Sequence, residues 1–258
     1  MTFATSSGHQ LPCGSDPRIG YSPNVSEMEC EHLIDGTCAV ATKLAGVTVP
    51  ADQRNCEFCL GCDIPWRTEP TRQAGFEWLL RYYLHRFGDG SVHVQMDDGR
   101  GPFNKSRLIN DAVGLFPGHV CVISDADAFI CDWTLREALR LAGTGAKLIL
   151  PHNSVCRMTR DQSRRILRWN PADAISGKLY RHQRTRACPG GLWVVRSDLF
   201  QHHRMDERFE GWGCEDTEFL RRIPWRRLPG PLFHIWHAKA SKDRLKRNRR
   251  LLRVAGSK

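Results

Sequence analysis

No apolar stretch in this 258-residue chain approaches the ~18 uninterrupted residues a membrane-spanning helix needs, so the sequence predicts no membrane span. The first residues, MTFATSSGHQLPCGSD, lack both a basic start and an apolar run of ~7–15 residues. No secretory leader is read there, and the expectation is a cytoplasmic protein. No internal repeat is visible, which argues against a solenoid or propeller. Acidic residues are in deficit: 28 Asp and Glu stand against 38 Lys and Arg, leaving a net charge of +10. Such an excess favours phosphate-bearing partners such as nucleotides, nucleic acids or anionic membranes.

What is present begins with an ordinary globular composition, 41% hydrophobic and 26% charged, in a chain long enough for one substantial core and a small appendage. The basic residues are clustered. One cluster lies in the tail from Lys239 to Lys258, a second from Arg157 to Arg168 and a third from Lys178 to Arg186. A solvated helical face and a frayed tail would account for these clusters equally well.

Cysteine is abundant and unevenly placed. Six of the eleven, Cys13, Cys30, Cys38, Cys56, Cys59 and Cys62, fall in the first quarter of the chain. The other five are spread singly, as small buried residues are. An odd total without a leader argues for metal binding rather than a disulfide framework. Cys56-x2-Cys59-x2-Cys62 is a tight knuckle, and Cys30 with Cys38 or His32 supplies further ligands. The spacing suits a structural Zn²⁺, while an iron–sulfur cluster or plain reduced cysteines remain alternatives.

Four segments follow from these patterns: a poorly ordered Ser/Gly/Pro-rich lead-in over 1–29, a cysteine-rich module over 30–62, an α/β domain over 63–240, and a basic tail over 241–258. Periodicity predicts a helix over Arg72–Phe87, with Thr71 as its cap and Phe76, Leu79, Leu80, Tyr83, Leu84 and Phe87 on its apolar face. Strands are expected at Ser91–Met96, His119–Ser124, Ala146–Leu150, Gly191–Arg196 and Leu232–Trp236. Further helices are expected at Asn104–Phe116, Trp133–Ala142 and Glu215–Arg222, with a short one after Ser197. Alternation of this kind is the signature of an α/β fold.

Three constellations carry chemistry. In VISDADAFI a buried strand runs into Asp125-Ala126-Asp127. Ligands gather at the carboxyl ends of strands in open α/β sheets, and two carboxylates there can hold Mg²⁺ or Mn²⁺ together with a diphosphate. An Asp-x-Asp turn is also a common capping device. In DERFEGWGCEDTE, Gly211 and Gly213 flank Trp212, giving an aromatic-bearing loop able to lie on a flat substrate face. Glu215 and Asp216 follow at a helix start, where carboxylates are electrostatically comfortable and can accept a proton from a hydroxyl. The third, His234-Ile-Trp-His237, places two imidazoles at a strand end, where they can complete a metal site begun by the Asp-x-Asp pair.

Taken in order, FNKSRLIN (103–110), SDAD, PGGLWVVRSDLF, FEGWGCEDTEFL and HIWH resemble the galactosyltransferase family that includes the β-1,4-galactosyltransferases. More distantly, the chain is similar to chondroitin-polymerising and polypeptide N-acetylgalactosaminyl transferase domains. The resemblance covers roughly residues 64–240. It implies a GT-A type nucleotide-sugar transferase fold, a mixed and mostly parallel sheet flanked by helices, and a UDP-sugar donor. It further implies Asp127 as the principal Mn²⁺ ligand with Asp125 beside it, His237 as the histidine ligand, and His234 in place of the family's methionine ligand. Asp216 would be the base of an inverting displacement, with Glu215 binding sugar or acceptor. Trp212 with Gly213 would line the pocket, Gly190 and Gly191 would approach the donor sugar, and Arg72, Asn104 and Lys105 would contact the nucleotide. The first strand departs from the family, since only Asp63-Ile64-Pro65-Trp66 precedes Arg67. Animal members carry a membrane anchor, so the resemblance points to a bacterial or phage relative. Its acceptor would be a glycan, a protein or a hydroxymethylated base of phage DNA, the last suggested by charge alone. A non-catalytic nucleic-acid-binding protein is the reading from a different class.

Overall fold

The computed structural model describes residues 60–88, 92–113, 120–239 and 241–255. The lead-in and the module residues Cys30, His32, Cys38, Cys56 and Cys59 lie outside them, as do Ser91, His119 and the expected last turn of the Asn104–Phe116 helix.

The first strand, β1, is Leu60–Trp66, longer than the four residues read from the sequence and reaching back into the segment assigned to the cysteine module. Cys62 therefore belongs to the sheet. It is fully buried, in register with Val92 and Val122, and burial pushes its thiol well above the ordinary cysteine range. The Cys62 side chain is thus part of the core, and the other cysteines of the expected knuckle lie outside the described residues.

Helix α1, Gln73–Phe87, follows with the expected apolar face, extended by Trp78 and Tyr82. Its start is not capped by Thr71: that hydroxyl bonds Glu69, and the cap residue is Arg72, whose side chain makes no capping bond. Strand β2, Val92–Met96, lies at the sheet edge, with Met96 exposed. Helix α2 is Lys105–Val113, with Asn104 Oδ1 accepting from the Arg107 amide as its N-cap.

Strand β3, Val120–Ser124, is buried at every position. Val120 and Val122 enter one apolar cluster while Cys121 and Ile123 enter another on the opposite face, which is why the run reads as continuously apolar. The remaining elements are β4 (Ala128–Ile130), α3 (Asp132–Gly143), β5 (Leu148–Leu150), β6 (Ser154–Arg157), α4 (Arg160–Ile166), β7 (Arg184–Arg186), β8 (Leu192–Arg196), α5 (Asp198–His202), α6 (Glu215–Arg222), β9 (Arg226–Arg227), β10 (Pro231–His234) and α7 (Leu245–Ala255). Six strands form one sheet in the order β2-β1-β3-β8-β5-β9. Pairings β1–β2, β1–β3 and β5–β9 are parallel, and β3–β8 and β5–β8 antiparallel. A second sheet runs β4-β10-β6-β7. The expected α/β class, a mixed and mostly parallel main sheet flanked by helices, is present.

The larger core packs α1 against both sheets through Trp78, Tyr82, Tyr83, Phe87, Phe129 and Phe233, whose rings contact one another in series. Burying each such ring contributes roughly 1.5–3 kcal/mol. The tyrosines also carry polar tips to the turn after β3. Tyr83 Oη lies 2.8 Å from Ser124 Oγ and 3.2 Å from the Ala128 carbonyl, and Tyr82 Oη donates to the Ile130 carbonyl at 2.6 Å. Buried hydroxyls cost free energy unless paired, so these bonds fix the turn that carries Asp125 and Asp127.

Candidate functional site

The site lies where β3 ends. Asp127 is 5% exposed, and the β10–β4 register places His234 opposite Ala128, while the Ile235 amide donates to the Asp127 carbonyl at 2.8 Å. These main-chain contacts bring both histidines onto one carboxylate. His234 Nε2 is 3.5 Å from Asp127 Oδ1, and His237 Nε2 is 3.1 Å from Asp127 Oδ2. The candidate ligand atoms of the three residues all lie within 4.8 Å of one another. One carboxylate and two imidazoles are a mixed oxygen and nitrogen donor set that can hold a first-row divalent cation such as Mn²⁺.

Arg72 joins this group from the start of α1. Its Nη2 donates to Asp127 Oδ2 at 2.8 Å and lies 3.0 Å from His237 Nε2. Burial by itself would raise the Asp127 carboxyl, but His234, the hydrogen bond from His237 and the Arg72 guanidinium outweigh it and hold the acid well below the usual carboxylate range. Burial depresses His234, whereas the bond to Asp127 raises His237.

Asp125 turns away from this group. Its carboxylate pairs with Lys105 Nζ at 2.7 Å, and Lys105 reaches Asp216 Oδ1 at 3.1 Å. The backbone of Asp125 is held by the Gly191 carbonyl at 2.9 Å. Burial opposes the Lys105 charge, yet Asp125, Asp216 and Glu215 keep its ammonium well above the ordinary lysine range. In the other direction, one ammonium does not neutralise three carboxylates. Desolvation, aided by the neighbouring Asp216 charge, pushes Glu215 up to about 7, and desolvation also raises Asp216.

Both glycines of the PGG turn are required by this arrangement. A Cβ on Gly190 would overlap the Asp216 carboxylate, and Gly191, at φ +102°, backs onto Leu232. The loop before α6 is tightly wound: Gly211, Gly213 and the non-glycine Cys214 all have positive φ, Cys214 at +83°. A left-handed non-glycine residue beside clustered carboxylates stores about 1–3 kcal/mol of strain, held in place by its surroundings. Trp212 stands out from this loop, 50% exposed, with Lys242 Nζ 5.3 Å from its ring centroid.

Part of that holding comes from the tail, which the sequence reading left as a basic run. Helix α7 packs on the loop. The fully buried Asn248 donates from Nδ2 to the carbonyls of Glu210 and Gly213, each at 2.9 Å, and Arg247 bonds the Arg208 carbonyl and the Glu210 carboxylate. Sequence reasoning missed Asn248; its one signal is a short uncharged amide in the middle of Lys-Arg-Asn-Arg-Arg. Arg157 was likewise seen only as part of a cluster, yet it is in register with His234 and its charge further depresses that imidazole.

The structure thus brings together Asp127, His234, His237 and Arg72 on one side, and Asp125, Lys105, Glu215, Asp216 and Gly190 on the other. Asn104 instead caps α2 and donates to the Glu207 carbonyl.

No protein-family model and no curated protein matches the chain. Among solved structures, it is similar to a Drosophila β-1,4-galactosyltransferase 7 mutant in complex with manganese, UDP-Gal and xylobiose: 16% identity and TM-score 0.47, covering 74% of this chain and 79% of that one. It is also similar to Mycobacterium tuberculosis glucosyl-3-phosphoglycerate synthase in complex with Mn²⁺, UDP and glucosyl-3-phosphoglycerate, at 10% identity and TM-score 0.46, covering 76% and 77%. Likenesses at this level leave the chemistry to be argued from the side chains of this chain itself.

Proposed function

We propose that the chain is a metal-dependent glycosyltransferase of the GT-A type, transferring a sugar from a UDP-sugar to an acceptor hydroxyl with inversion. The observation that carries this reading is the division of labour around the end of β3: a carboxylate with two imidazoles on one side, and on the other the Glu215–Asp216 carboxylate pair, with Lys105 bridging Asp216 and Asp125. Asp127, His234 and His237 would hold Mn²⁺, which when bound neutralises charge developing on a diphosphate leaving group. Arg72, now on Asp127, is placed to pass to the diphosphate oxygens. Asp216 takes the proton from the acceptor hydroxyl as its oxygen bonds to the anomeric carbon, and the bond from that carbon to the diphosphate oxygen breaks with its electron pair leaving on the diphosphate. Glu215 beside it accepts a hydrogen bond from sugar or acceptor, and Trp212 offers an exposed indole face to a pyranose ring.

The test is release of nucleoside diphosphate from a panel of nucleotide sugars, with and without Mn²⁺. Metal-dependent release from one donor, abolished in Asp127→Ala, is expected. Absence of both donor binding and release would overturn the reading in favour of a non-catalytic binding protein, whose properties would be indifferent to Asp216→Asn.

A further inference from the structure

The two internal basic clusters, apart in sequence, come together on the second sheet. Between Arg157 and Arg186 there are nine Lys or Arg residues against two Asp, and eight of the nine are arginine. β6 pairs with β10 on one side and with β7 on the other, placing Arg157 opposite His234 and Arg184 opposite Cys156. Arg181 opens the 3-10 turn that leads into β7, and α4 carries Arg160, Arg164 and Arg165, the last close enough for its charge to act on Tyr180 just before that turn. The strip therefore starts at the histidine side of the site and runs outward.

Few of its charges have counter-ions among the described residues. Among the described residues, Arg164 pairs with Asp161 and Arg160 lies over the Trp236 ring, 5.3 Å from its centroid. Arg157, Arg165, Arg168, Lys178, Arg181, Arg184 and Arg186 make no ion pair or side-chain hydrogen bond among the described residues. Arg184 Nε and Nη2 are buried without a partner, and burial together with the nearby Arg181 charge lowers its affinity for its proton. A charged sheet edge deters strand pairing, which explains β7 but not α4. Exposed tryptophans stand at both ends of α4: Trp236, 38% exposed, whose amide donates to Ser163 Oγ, and Trp169, 42% exposed, just past the last turn.

We propose that this strip is the docking surface for a single strand of nucleic acid, whose phosphates the guanidinium groups engage and whose bases stack on the exposed indoles. Guanidinium forks match phosphate bidentately, and an interleaving of cations with open aromatic faces is the chemistry of single-strand binding. That the strand also presents the acceptor hydroxyl rests on the transferase reading above; the docking itself does not.

The experiment is fluorescence anisotropy of the full chain with a labelled single-stranded DNA oligonucleotide, between about 50 and about 200 mM salt, with a sulfated polysaccharide as the parallel arm. Binding that weakens steeply with salt is expected. The double variant Arg181→Gln/Arg186→Gln, both exposed, should lower affinity at least tenfold and reduce the logarithmic salt slope by about 1.4, two contacts at about 0.7 each. Trp169→Ala should weaken binding about fivefold or more with the slope unchanged, the mark of stacking rather than charge. Failure to bind at low salt, indifference to the double variant, or tighter binding of the sulfated polysaccharide with no effect of Trp169→Ala would each overturn the proposal. Metal-dependent donor hydrolysis should persist in the double variant, so a chain that hydrolyses donor but ignores DNA refutes the docking alone.

Discussion

The two halves of the site treat their carboxylates in opposite ways. Around Asp127 one acid faces a guanidinium and two imidazoles, and its carboxyl is held far below the ordinary range. Around Lys105 three acids share one ammonium in a desolvated pocket, and Glu215 and Asp216 rise. Both halves are built on carboxylates; the ratio of cationic and imidazole partners to carboxylates differs. An acid that stays ionised is suited to hold a metal, and one brought toward neutrality is suited to exchange a proton near pH 7.

The sharpest way to separate the halves is Asp216→Asn. Sugar transfer should fall about 10²–10⁴-fold while Mn²⁺ binding, followed by electron paramagnetic resonance, stays unchanged. Loss of both together would mean that the two halves are one functional unit.

The pH profile comes next. Asp216 must be ionised to accept a proton, and burial raises its carboxyl, so turnover should rise with pH along a limb above the ordinary aspartate range. Lys105→Met removes the cation that lowers both acids, so that limb should move further upward in pH. A limb that stays in place would show that the ammonium does not set the acidity of the pair.

The smallest effect is expected from Asn248, which touches neither half. Asn248→Ala removes two buried hydrogen bonds to the Glu210–Gly213 loop and should cost about 1–3 kcal/mol in thermal stability. Acceptor KM should rise more than kcat falls, because the bond supports the loop bearing Trp212 and not the proton acceptor. An equal loss in both parameters would place the loop within the catalytic half.

The same contrast of partnered and unpartnered charge separates the two kinds of basic segment. In the tail, Arg244 and Arg247 meet Glu210, and Asn248 ties the helix to the loop. In the strip from Arg157 to Arg186 two Asp stand against nine Lys and Arg, and among the described residues Arg164–Asp161 is its ion pair.

Residues 120–124 and 215–222 could be read directly, because an all-apolar β-branched run and a helix opened by acids are local signals. The Asp-x-Asp turn, the glycines of PGG and the two histidines were legible for the same reason: each needs a residue type at a strand end or a tight turn. The order of motifs placed them in one site. What only the tertiary structure decided is which charge meets which. Asp125 and Asp127 are two residues apart and belong to different halves; Cys62 lies buried in the sheet; and one basic run is docked on a loop while another carries few ion pairs among the described residues. Ion pairing and desolvation depend on distances between residues tens to more than a hundred positions apart, and sequence spacing does not encode those distances.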